Sequence, residues 1–179
     1  MAFYKKVKSF NKSLVLLFLL IGCNAMATGE DVSGTVVCYG IIRPPENYKK
    51  VNTPGTDSGV SVALHERPTF SIMTNRIPAE LGVKFGFTYQ INNLRVPDGT
   101  VIEVVRSDKC PAIKKPDGTT FTGAERHLKL QVHGGRTDGY CGFGFDHEYE
   151  LVAGNWTFEI RLNGKTLCRQ DFVVFAKGT

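Results

Sequence analysis

Trp156-Thr157-Phe158-Glu159-Ile160-Arg161-Leu162, then Asn163-Gly164, then Leu167-Cys168-Arg169-Gln170-Asp171-Phe172-Val173-Val174-Phe175 is the stretch that decides the fold. In its first run Trp156, Phe158, Ile160 and Leu162 alternate with Thr157, Glu159 and Arg161. A period of two is what a strand with one buried and one wet face shows. Asn-Gly tolerates the positive φ that a type I′ turn needs at both central positions, so the spacing predicts an antiparallel hairpin. The same alternation recurs upstream, where Phe85, Phe87, Tyr89 and Ile91 share one face and Gly86, Thr88 and Gln90 the other. Such faces need a second apolar layer to cover them.

Runs rich in Val, Ile, Thr, Phe and Tyr predict strands over 35–42, 59–65, 69–74, 85–92, 100–106, 127–133, 141–149, 156–162 and 167–175. Pro97-Asp98-Gly99 and Pro116-Asp117-Gly118 are turns that use Pro to preset φ and Gly to close the reversal. Pro44-Pro45 and Asn52-Thr53-Pro54-Gly55 mark a long loop from Arg43 to Ser58. No helical period or internal repeat is found in this part of the chain. The expectation is all-β: an immunoglobulin-like two-sheet antiparallel sandwich.

The N-terminus sets the compartment. Lys5, Lys6, Lys8 and Lys12 precede an apolar run from Ser13 to Gly22, and Ala25-Met26-Ala27 offers a small-residue cleavage site, the pattern of a secretory signal peptide over 1–27. Leu20-Ile21-Gly22-Cys23 also fits a lipobox, which makes Cys23 a lipidation candidate and shortens the signal to 1–22. Residues 28–179 are then a single β-sandwich domain, exported to the periplasm as a soluble or a lipid-anchored envelope protein. Four of the 22 Lys and Arg, and none of the 17 Asp and Glu, lie before Ala27, so the rest of the chain is nearly neutral at +1. That removes the basic footprint a nucleic-acid partner requires. Membrane contact is expected only through the candidate lipid anchor.

Four cysteines remain beyond Cys23: Cys38, Cys110, Cys141 and Cys168. An even number in an oxidising compartment predicts two disulfides, with three connectivities open. The favoured one joins Cys38 to Cys168, first strand to last, and Cys110 to Cys141. No Cys-x-x-Cys or His-x-x-x-His spacing is present, so neither a metal nor another cofactor is expected.

The Ile77-Pro78-Ala79-Glu80-Leu81-Gly82 segment and the later Gly154-Asn155-Trp156-Thr157-Phe158 segment resemble an uncharacterised family of exported bacterial proteins, a domain of unknown function. The likeness runs from about Tyr39 to Val174. It implies a β-sandwich and nothing catalytic, and the cysteine set departs from it. The Ile-Pro-Ala segment reads as a turn into the strand at Phe85, and Trp156 as a core anchor.

For catalysis, the best constellation is Asp146-His147-Glu148 near Cys141, with His127 and His133 on another strand. A thiol nucleophile needs an imidazole to lower its pKa and a third group to orient that imidazole. Alternation sends Asp146 and Glu148 to the face opposite His147, and no Gly-x-Ser-x-Gly or His-Glu-x-x-His motif appears. The expectation is therefore no enzyme, but a non-catalytic exported binding or structural module of the cell envelope. A small exported hydrolase or thiol enzyme is the alternative. In Gly139 to Phe145 glycines alternate with aromatics, which reads first as a core strand with Gly142 and Gly144 on its outer face; that bare face flanked by Tyr140 (Tyr140, Gly142 and Gly144) is the candidate ligand surface. The stretches Arg43 to Ser58 and Lys109 to Arg126 are candidate recognition loops for an envelope protein or a glycan.

Overall fold

The computed structural model describes residues 31–43, 49–52, 60–63 and 68–176. The expected signal segment, Cys23 and most of the Arg43 to Ser58 loop lie outside them. The strands are β1 (Ser33–Arg43), β2 (Lys49–Asn52), β3 (Val60–Ala63), β4 (Thr69–Ile72), β5 (Arg76–Pro78), β6 (Lys84–Asn92), β7 (Val101–Lys114), β8 (Thr120–Gln131), β9 (Thr137–Gly144), β10 (Gly154–Leu162) and β11 (Lys165–Phe175). One sheet runs β4-β1-β6-β9, the other β5-β11-β10-β7-β8, and β2 and β3 form a separate ribbon. The expected two-sheet, all-strand architecture is borne out; one 3-10 turn, Glu148–Glu150, is the sole helical element among the described residues.

The hairpin that decides the fold forms as read. Trp156 faces Phe172 and Ile160 faces Cys168 across β10 and β11. Asn163 and Gly164 take φ of 50° and 79°, the two positive values that the turn demands. On β6, Phe85, Phe87, Tyr89 and Ile91 point inward and are fully buried. Phe85 is the hub of the core, with ring centroids of Phe143, Phe145, Trp156, Phe158 and Phe172 between 5.2 and 6.3 Å away. Most meet it edge-on or tilted, as aromatic quadrupoles prefer. The Trp156 indole N–H donates to the Val152 carbonyl at 3.3 Å, so its polar atom is not left bare by burial.

Three expectations change. The stretch from Lys109 to Arg126 is no recognition loop: β7 and β8 pair antiparallel through it on both sides of a register shift between Lys109 and Ile113, and the reversal is the short turn at Pro116-Asp117-Gly118. A Pro and a Gly hid these arms. Pro111, which has no N–H to give, falls in a register shift between Lys109 and Ile113. Second, Ile77-Pro78 is not merely a turn. Arg76–Pro78 pairs parallel with β11, at the sheet's margin, where a missing proline N–H leaves no ladder bond unmade. Third, β9 stops at Gly144, and Asp146, His147 and Glu148 follow it in a turn.

Gly40 shapes the other margin. Its φ is 142°, and a Cβ there would stand 2.0 Å from the Ile72 carbonyl oxygen. Only a glycine lets the end of β4 lie this close to β1.

Truncating the hub tests the packing. Phe85→Ala is expected to cost about 3–5 kcal/mol of unfolding free energy, read as a lower denaturation midpoint in urea. An effect below about 1 kcal/mol would mean that the two sheets do not depend on this ring.

Candidate functional site

Inside the sandwich lies one cluster of charge. Arg106 and Asp108 of β7 stand opposite Ile160 and Phe158 of β10, both buried, so alternation turns them inward in line with Val104. Arg126 of β8 is opposite Arg106 and joins the same face. Arg106 Nε donates to Asp108 Oδ1 at 2.7 Å, and Arg126 Nη2 donates to Asp108 Oδ2. Arg106 Nη2 reaches across to the Gly142 carbonyl of β9 at 2.6 Å. The Arg106 guanidinium carbon lies 5.7 Å from the centre of the Phe158 ring. Two guanidiniums thus hold one carboxylate where β9, the last strand of its sheet, meets β7 and β8.

Cys141 completes the cluster. Its thiol is fully buried and sits 3.7 Å from Asp108 Oδ1. Burial pushes the thiol up to about 12; Arg106 and Arg126 pull the other way, and Asp108 adds to the rise. A reactive cysteine requires the opposite, a depressed pKa and access to solvent. Burial likewise raises the Tyr140 phenol above its ordinary range.

The groups expected to activate Cys141 are elsewhere. The Glu150 carboxylate accepts the backbone N–H groups of Asp146 and His147 at 2.6 and 2.9 Å, which organises the turn after β9. The exposed His147 ring stacks on Tyr149, centroids 5.1 Å apart. His127 pairs with Glu103 at 2.7 Å on the outer face of its sheet, and His133 bridges to Arg136 in the turn between β8 and β9.

The glycine face of β9 is not bare. The Tyr140 phenol oxygen occupies the space 2.1 Å from where a Gly142 Cβ would stand, and the Lys84 stem comes within 3.0 Å of the same point on Gly144. These glycines make room for the chain's own side chains, which fill the surface expected to take a ligand.

All four described cysteines are thiols, in place of the two expected bridges. Cys38 and Cys168 cannot meet without rebuilding the sheet. Cys38 lies opposite Thr88, on the outer face of β1, and its Sγ donates to Met73 Sδ at 3.1 Å. Cys168 is buried in the core beneath Gly34, its sulphur 2.6 Å from where a Cβ of that glycine would be. Cys141 turns to Asp108, and no disulfide joins it to the partly buried Cys110. The charge cluster was missed in the sequence, although Val104, Arg106 and Asp108 alternate in the phase of a buried face.

Breaking the cluster from one side leaves a buried charge unpaired. Asp108→Ala, which sets two guanidiniums against each other, is expected to cost about 3–5 kcal/mol, and more than Arg126→Ala, by urea denaturation. Equal costs would mean that Asp108 is not the partner on which both guanidiniums depend. The thiols give a pH signature. Burial holds Cys168 at about 11 and Cys141 at about 12, against an ordinary value of 9.0. Below that value folded and unfolded chains keep the same protons and stability is full. Above it the unfolded chain releases protons that the folded one retains. Stability then falls by about 1.4 kcal/mol per pH unit for each thiol, until the folded thiols themselves titrate. Buried Tyr89 and Tyr140 add to the slope at higher pH. Denaturation midpoints are expected to drop between pH 9 and 11, less steeply in Cys141→Ala; an unchanged slope in that variant counts against a buried neutral thiol.

Among solved structures, the chain is similar to an immunoglobulin-like protein from Pseudomonas aeruginosa, at 21% identity and a TM-score of 0.56, over 83% of this chain and 99% of that one. The likeness shows the fold, an immunoglobulin-like sandwich. An alkylpurine DNA glycosylase from Pseudomonas fluorescens, bound to DNA containing an abasic site analogue, aligns at a TM-score of 0.37 and 13% identity, over 56% of this chain and 27% of its own; that overlap is too loose to carry an inference. No curated protein matches the sequence. The model of one family matches residues 32–174, most of the chain, and the protein belongs to that family, a domain of unknown function (DUF3859).

Proposed function

We propose that this protein is a non-catalytic binding or structural module of the bacterial cell envelope, exported by its N-terminal segment and working through its surface. The observation that carries the reading is the state of Cys141. The one thiol that sequence places near histidine and carboxylates is buried, held neutral up to about 12 and turned to an aspartate already engaged by two arginines. Chemistry at that sulphur would require opening the junction of the two sheets. The immunoglobulin-like fold supports the reading as a scaffold that presents loops and sheet edges, although such folds host many functions. The partner is an envelope protein or a glycan. The Lys115–Thr119 turn suits presentation: Asp117 accepts from the Thr119 backbone N–H and hydroxyl at 2.9 and 2.6 Å, which fixes the tip of a long hairpin.

Two measurements on protein from its native host test the two halves of this proposal. Iodoacetamide at pH 8, followed by peptide mass mapping, is expected to label Cys38 in the folded protein and Cys141 only after denaturation. Labelling of native Cys141 at the rate of a free thiol would return the thiol-enzyme reading. The intact mass is expected to begin at Thr28 or at a lipidated Cys23 in an envelope fraction; a chain retaining Met1 in the cytoplasm would overturn export.

A further inference from the structure

We propose that Cys38 and Met73 form a two-sulphur site for a soft monovalent cation of the copper(I) and silver(I) class. The two residues are 35 positions apart and are brought together by the margin of the first sheet. On β1, Val37 is the extra residue in a register shift between Val36 and Cys38, which leaves the Cys38 thiol on the outer face opposite Thr88. Gly40, two residues on, shares that face. Its missing side chain admits the backbone of residues 72–74, since a Cβ would stand 2.0 Å from the Ile72 oxygen and 3.0 Å from the Thr74 nitrogen. Met73 is thereby laid over the thiol. Its flanks are tied: Ser71 Oγ donates to the Ile41 carbonyl at 3.2 Å, and the Arg76 N–H donates to Thr74 Oγ1 at 3.0 Å.

The thiol donates to the thioether across 3.1 Å, so the electron pairs of both sulphurs converge on the place now held by a proton. Thiolate and thioether are the donors that select copper(I) over harder ions. Among the described residues no three His, Cys, Asp or Glu gather as a metal site, which leaves a pair suited to an ion content with two donors rather than to tetrahedral zinc. Binding replaces the proton. The S–H bond breaks, the proton passes to solvent, the thiolate and the thioether each give an electron pair to the cation, and nothing is oxidised or reduced. Metal–sulphur bonds of about 2.3 Å on opposite sides of the cation require the sulphurs to separate by roughly 1.5 Å. Met73 is 61% exposed on an unbranched, flexible side chain and can make that move. The site is independent of the envelope-module reading and survives if that reading fails.

The test is titration of the reduced protein with silver(I) in chloride-free buffer, followed by native mass spectrometry and by the Met73 methyl resonance. The first silver equivalent is expected to bind the parent and Cys110→Ser alike, to be lost in Cys38→Ser, and to bind at least tenfold more weakly in Met73→Leu. The Met73 methyl signal of the parent is expected to shift as that equivalent is added, a readout that needs no variant to fold. Parent-like affinity in Met73→Leu, retention of the first equivalent in Cys38→Ser, or a stationary Met73 methyl would each overturn the site.

Discussion

The contact of Phe85 with Trp156, Phe158 and Phe172 joins the two sheets, and the remaining structure is arranged to keep it dry. Phe85 comes from one sheet and the other three from its opposite, so the cluster exists only when both are paired in register. A slip of one residue on β6 would turn Phe85, Phe87, Tyr89 and Ile91 to solvent together. The Asn163-Gly164 turn guards against the corresponding slip on the far side, because it fixes which residue of β11 stands opposite Trp156.

An open sandwich has sides as well as faces, and here one side is sealed by charge instead of hydrocarbon. Arg106 spans from β7 to the Gly142 carbonyl, and Asp108 holds both Arg106 and Arg126 in place. Ion clusters of this kind add little net stability over an apolar filling, since desolvation offsets most of the attraction. Their geometry is demanding, however. It specifies how the edge of one sheet meets the other, which close-packed hydrocarbon does less strictly. Cys141 inherits its inertness from this arrangement.

How much was legible follows from where the period of two stayed clean. β6 and β10 have apolar residues at each inward position, and both were readable. The arms of β7 and β8 carry Pro111, Gly123 and inward arginines, which look like loop or surface residues, so only their apolar ends were seen. The short β5 escaped because its pairing with β11 is a tertiary event with no local signal. At the candidate site, sequence supplied the thiol but not its surroundings: Arg106, Asp108 and Arg126 converge only once two strands pair. What stands beside the outer-face glycines of β9, Tyr140 and Lys84, follows from side-chain packing that the sequence does not print. Met73 drew no notice, since its relation to Cys38 depends on the close approach permitted by Gly40.

β8 is 12 residues long and, among the described residues, is paired in its sheet with β7 alone. The unpaired side of such a strand is a template on which another chain can build, and natural sheets discourage this with charges turned inward and with local kinks. Arg126 and Gly123 supply both. A second molecule docking along this strand would have to disturb a guanidinium bound to a buried carboxylate. The interaction that shuts the sandwich therefore also places an inward-turned charge on this edge, the device by which sheets discourage pairing with a further strand.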